Sequence, residues 1–183
     1  MAPAVGILLV RHLERNVLAD RTTWPRRVLI CLVAGGAFAL LAARADFQLA
    51  TAVRQSARRV WAGYGEATRP LWFMGHWGFQ YYLEAQGASA LDLKRSVVRP
   101  GDHLAIPYNN SNIMLPDPKK VVMRETLTFP GPRLLATWNE TMGAGFYASE
   151  WGPLPFVFGR VPPEGVTVYD FGALAPTASQ SPK

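Results

Sequence analysis

The sequence predicts an α/β chain: one N-terminal transmembrane helix, an amphipathic stalk helix, then a small α/β domain. Three observations carry this expectation. Val28–Ala43 (VLICLVAGGAFALLAA) holds no charged residue. Asp46–Tyr64 repeats apolar residues at helical spacing. From Leu71 onward, short apolar runs alternate with breaks rich in glycine and proline, as in strands and turns around one helix.

Composition narrows the function classes. A chain of 183 residues has room for one ordinary domain plus attachments. With 49% hydrophobic and only 17% charged residues, general disorder is excluded. The single Cys31 rules out an intrachain disulfide and a cysteine-based zinc cluster. His12, His76 and His103 lack ligand spacing, so neither a metal nor a cofactor is expected. The net charge of +6 is carried by residues 1–69, while residues 70–183 are balanced. A nucleic-acid reader carries such charge on its folded domain. Here the arginines flank an apolar run, so the expected partner is membrane lipid and not nucleic acid.

Taken in order, residues 1–27 read as a cytoplasmic segment. Within it Pro3–Val10 is either the stump of a preceding membrane helix or a loose N-terminus. Residues 28–43 form the transmembrane helix. At about 24 Å it is slightly short of the ~20 residues of a full span. Trp24, Arg26, Arg27 and Arg44 stand ready to anchor its ends. A buried core helix and an uncleaved signal peptide are the rival readings. Residues 44–69 form the stalk, with Phe47, Ala50, Val53, Ala57, Val60, Trp61 and Tyr64 on one stripe. That stripe packs on the following domain, or Arg54, Arg58 and Arg59 beside it contact lipid headgroups.

Residues 70–174 form the α/β domain. Leu71–Met74 is a candidate strand and His76–Gln86 its helix. His103–Pro107, Val121–Phe129, Leu134–Trp138 and Val166–Phe171 are further strands. Asn109–Lys120 (NNSNIMLPDPKK) is too long for a simple turn and reads as a binding or lid loop. Met142–Arg160 reads as an irregular loop, and residues 175–183 as a disordered tail.

The densest chemistry lies in Leu71–Ala88. A strand, a Gly75-His76-Trp77-Gly78 turn and an aromatic helix follow one another there, aiming backbone N–H groups outward at a helix start. His76, Gln80 and Glu84 share one helix face, flanked by Trp77, Tyr81 and Tyr82. A polar line beside aromatic rings suits a sugar, whose ring faces stack while its hydroxyls pair with amides and carboxylates. The alternative is a core helix capped by His76. Tyr147, Glu150 and Trp151 are further pocket candidates. No nucleophile elbow, Walker loop or metal-ligand spacing occurs, so no catalytic residue is assigned.

The helix running into Ala45-Asp46-Phe47-Gln48-Leu49-Ala50, the run FMGHWGFQYYLEAQGA, Arg99-Pro100-Gly101-Asp102 and GFYASEWGPLPFVFG together resemble a known pattern. They are similar to the C-terminal part of bacterial family-39 glycosyltransferases, polytopic membrane proteins related to protein mannosyltransferases and aminoarabinose transferases. The resemblance covers residues 25–171, and GHWGFQYY is its most specific part. It implies a bacterial inner-membrane chain, single-pass, with its C-terminal domain periplasmic. In that family, catalysis depends on acidic residues near the N-terminus of the longer protein, often with a metal, and the sugar arrives on a polyprenyl phosphate. That machinery has no counterpart here, so activity from this chain alone is not expected. The resemblance implies a module or fragment that binds or positions a polyprenyl-phosphate-linked sugar or acceptor glycan. The alternative is a non-catalytic interaction module docking on a polytopic membrane protein.

Overall fold

The computed structural model describes Arg11 and residues 24–172, apart from Ala67 and Asn112. The expectations for Pro3–Val10 and for residues 175–183 lie outside the described residues. The chain falls into two units, residues 1–43 and residues 44 onward. Mixed helix and sheet are both present, as an α/β chain requires.

Helix α1 runs unbroken from Trp24 to Tyr64. The sequence predicts two helices here. None of Arg44, Ala45 and Asp46 is a helix breaker, so the backbone continues through the expected joint. It stops at Gly65, where a Cβ would lie 2.3 Å from the Trp61 ring, so only glycine allows the chain to turn. Among the described residues of the first unit, most large apolar side chains of α1 stay exposed, Leu32 at 68% and Leu40 at 74%. This helix is long and apolar enough to cross a membrane, with a mean hydropathy of 2.2 over its most apolar window.

The second unit is built on a five-stranded sheet. Its strands are β1 (Leu71–Phe73), β2 (Ser89–Ala90), β3 (His103–Pro107), β4 (Val121–Phe129) and β9 (Glu164–Phe171), ordered β2-β1-β3-β9-β4. Helix α2 (Trp77–Glu84) links β1 to its parallel neighbour β2, and β3 also runs parallel to β1. Strand β9 is antiparallel to both β3 and β4. All of β3 is buried because it is central and covered on both faces.

Alternation along the strands sends side chains to two cores. On one face Leu71, Phe73, Ala105, Val166 and Val168 pack against Phe79 and Leu83 of α2 and Ala57, Val60 and Tyr64 of α1. On the other, Met74, Leu104 and Ile106 pack with Trp72, Tyr169 and Leu91. The α1 stripe therefore packs on its own domain from Val53 onward. Phe47, at 70% exposed, and Ala50 fall outside it, and Ala45 and Ala52 are buried instead.

The expected strand Leu134–Trp138 is interrupted at Thr137. Its halves, β5 (Leu135–Ala136) and β6 (Trp138–Asn139), pair with β8 (Val157–Phe158) and β7 (Ala144–Gly145) in separate two-stranded sheets. Met142–Arg160 thus contributes two short strands and a 3-10 turn at Ser149–Trp151, more order than its glycines and prolines suggest. The partners β5 and β8 lie more than twenty residues apart, and β6 and β7 form a tight hairpin of two-residue strands, too short to show an alternating pattern.

Candidate functional site

The turn between β1 and α2 builds the site. Gly75 has φ +97, and a Cβ there would sit 2.9 Å from Pro107. His76 is extended, and Trp77 then takes φ 65, the left-handed region that bulky residues avoid. Asn110 holds this conformation. Its Oδ1 accepts from the His76 N–H at 2.7 Å, and its Nδ2 donates to the His76 carbonyl at 3.1 Å. The same Oδ1 accepts the Ser111 N–H at 2.8 Å. Of the backbone N–H groups expected to point outward at this turn, that of His76 is engaged by Asn110. The Trp77 indole N–H donates to Ser111 Oγ at 3.0 Å, which leaves the ring 51% exposed.

Beside Trp77 lies an open cleft of about 860 Å³. Tyr108, Ile113 and Trp151 supply apolar wall, while Asn110, Glu140 and Glu150 supply polar groups. Tyr108 lies against Gly165, where a Cβ would come within 2.5 Å of its ring. Its phenol accepts from Thr167 Oγ1 at 2.9 Å, so the ring is fixed in place. Behind the cleft, Trp138 is the hub of an aromatic cluster. Its ring centroid is 4.8 Å from Trp77, 4.9 Å from Trp151 and 5.9 Å from Tyr147. The Trp138 indole N–H is buried without a hydrogen-bond partner, an arrangement costing on the order of 1–3 kcal/mol.

Helix α1 grips the same cluster through Asp46. Its carboxylate accepts from Thr137 Oγ1 and, at 2.6 Å, from the Tyr147 phenol. That hydrogen bond, with burial, pushes the Tyr147 phenol up to about 12, so it stays neutral and donating. A smaller cavity of about 290 Å³ lies here, lined by Asp46, Val53, Trp77, Trp138 and Tyr147 among others. Asn109 ties the cluster to the sheet, its Nδ2 donating to the Trp138 carbonyl at 3.1 Å and to Glu164 Oε1 at 3.0 Å. Burial pushes the Glu164 carboxyl up to about 7.

The expected residues divide among these surfaces. The polar line is present as a hydrogen-bonded chain: His76 Nδ1 to Gln80 Oε1 at 3.1 Å, then Gln80 Nε2 to Glu84 Oε1 at 2.8 Å. His76 and Gln80 line a separate groove of about 630 Å³ with Leu91, Leu93 and Met114. Trp77 and Trp151 line the large cleft, and Tyr147 the smaller cavity. Tyr81 is 68% exposed, edge-on to Tyr82 at 5.3 Å. Arg58 and Arg59 are exposed and Arg54 half-buried, with no ion pair to any of them among the described residues.

Tyr108, Trp138 and Glu140 join the site without having been singled out, whereas Asn110 comes from the Asn109–Lys120 loop expected to bind or cover a ligand. The Asn109-Asn110-Ser111 run directly after a strand was the available signal for Asn110, whereas Trp138 reads in sequence as an ordinary strand residue. A second polar cluster lies at the sheet edge. Asp170 bonds His103 at 2.7 Å and Arg124 at 2.8 Å, and Arg124 lies over the Tyr64 ring. It pins β3, β4, β9 and α1 together. Among the described residues no cluster of three or more His, Cys, Asp or Glu is placed to hold a metal. Comparison with protein-family models, with curated proteins and with solved structures finds no match for this chain.

Proposed function

We propose that this chain is a membrane-anchored module whose α/β domain binds the sugar part of a polyprenyl-phosphate-linked sugar or an acceptor glycan. The observation that carries the reading is Trp77. The fold holds a tryptophan in a left-handed conformation and ties its indole to Ser111, with half its surface exposed along a cleft. Strain of this kind persists where surrounding structure imposes it, and it concentrates at binding sites. Exposed aromatic faces beside Asn110, Glu140 and Glu150 match the mixed apolar and hydroxyl surface of a sugar.

The likeness to the C-terminal part of family-39 glycosyltransferases supports the same class of ligand. On that likeness we assign the chain to a bacterial inner membrane, single-pass, with this domain periplasmic. Leu29, Leu32, Val33 and Leu40, apolar and uncovered within the chain, support a helix solvated by lipid. No catalytic residue is assigned, and transfer is left to a separate catalytic region.

The test is titration of the full chain in detergent with short-chain prenyl-phosphate sugars and free oligosaccharides, followed by tryptophan fluorescence. Trp77→Ala is expected to weaken binding about tenfold, as loss of an anchoring aromatic does. Saturable binding that Trp77→Ala leaves unchanged, or no binding at all, rejects the cleft as a sugar site. The rival reading, a docking module, draws on edge strand β4, where Val122 and Met123 are 64% and 63% exposed. Co-purification of a polytopic protein lost on Val122→Lys, with no glycan binding, would favour it.

A further inference from the structure

Arg44, the first residue after the apolar run, shares a groove of about 380 Å³ with Arg133. Arg44, Gln48, Thr51 and Gln55 form one face of α1 along this groove, because they recur at helical spacing. Phe47 stands beside them, and Pro130 and Gly131 lead the opposite wall to Arg133. No acidic side chain lines the groove. No ion pair reaches either guanidinium among the described residues. Both arginines sit on fixed backbone. Arg44 is followed by buried Ala45, and Arg133 lies between buried Pro132 and the buried strand β5.

We infer that this groove binds the phosphate of an anionic membrane lipid. Two guanidinium groups with amide and hydroxyl donors and no carboxylate are a phosphate-binding set. The inference rests on the membrane reading above, which puts Arg44 where hydrocarbon gives way to headgroups. The rise from Arg44 to Gln48 is about 6 Å, comparable with the roughly 5–7 Å headgroup layer on each side of a bilayer. Phe47, 70% exposed at the same level, offers an aromatic face to the interface. A free phosphate has no use for that face, and a lipid does.

The experiment uses the full chain in nonionic detergent. Dihexanoyl phosphatidic acid, dihexanoyl phosphatidylcholine and inorganic phosphate are titrated separately, and binding is read from arginine side-chain NMR signals. Phosphatidic acid is expected to bind preferentially. Arg44→Gln or Arg133→Gln alone is expected to weaken it about fivefold, and the pair on the order of 25-fold. Arg95→Gln with Arg160→Gln, which removes the same charge elsewhere, is expected to change it less than about twofold.

Binding unchanged by the paired groove variant, or equal for phosphatidylcholine, overturns the inference. Inorganic phosphate bound as tightly as phosphatidic acid overturns the lipid assignment. Alkaline carbonate extraction of membranes tests the anchor separately. Release of the chain with groove binding intact removes only the anchor, and retention with groove binding absent removes only the groove.

Discussion

Glu164 is the residue at which burial and charge compete most directly. It is 6% exposed, and its single described side-chain donor is Asn109, so desolvation outweighs hydrogen bonding. The carboxyl titrates near 4.5 when unfolded and near 7 when folded. Between those values the native state holds more protons, so stability falls as pH rises and then levels off above about 7. Glu164→Gln removes the ionisation and keeps an acceptor for Asn109. It is expected to stabilise the chain by on the order of 2–3 kcal/mol at pH 8 and negligibly at pH 4. Unfolding curves of the two proteins at both pH values measure this. An equal difference at both pH values would show that packing, and not charge, separates them. Sequence alone shows only a glutamate before a strand. Its burial follows from the chain returning at Asn109 and Gly131, contacts made across 55 and 33 positions.

At the scale of elements, the start of α2 joins local strain to a tertiary clasp. Ordinary helix positions favour alanine over glycine by about 1 kcal/mol. At Trp77 the order is expected to reverse, because φ 65 penalises any Cβ by about 1–2 kcal/mol and glycine by nothing. Trp77→Gly should therefore unfold at higher denaturant than Trp77→Ala. The ordinary order would mean that the turn relaxes once the indole is gone. The glycines of Gly75-His76-Trp77-Gly78 announced a tight turn, and the spacing of Phe79 and Leu83 announced the buried helix face. The clasp was illegible because Asn110 approaches from a loop 34 residues away. The joint at Arg44–Asp46 failed as a helix boundary for a related reason. Charge marks where solvent changes along a helix, and it does not break hydrogen bonds between backbone groups.

At the scale of the whole molecule, the proposal divides the work between an apolar anchor and a domain with a sugar cleft and a phosphate groove. Leu32→Arg puts a charge within the anchor and is expected to cost about 2.5–3.5 kcal/mol of insertion free energy. The fraction of chain retained in carbonate-washed membranes should fall sharply, while a conservative Leu32→Ile leaves it unchanged. Full retention of Leu32→Arg would mean that the run does not span. The domain's sheet, beginning 27 residues after Arg44, is stabilised by its own cores and should keep its unfolding midpoint in both variants.

The sequence by itself determined the anchor-like run, the α1 stripe from Val53 to Tyr64, strands β3 and β4 and the turn at Gly75. Each is written in periodicity or glycine content within about a dozen residues. It also marked Trp77, Tyr147 and Trp151 as site candidates, and it joined them with His76 and Gln80. Only the tertiary structure decided that Trp77 and Trp151 face one cleft while His76 and Gln80 face another groove. It alone brought Trp138 between Trp77, Tyr147 and Trp151, and Arg133 beside Arg44. These associations depend on pairings such as β5 with β8 and β6 with β7, and on which way each loop returns. Such choices are settled by burial and hydrogen bonding across the whole domain, and they leave no periodic trace along the chain.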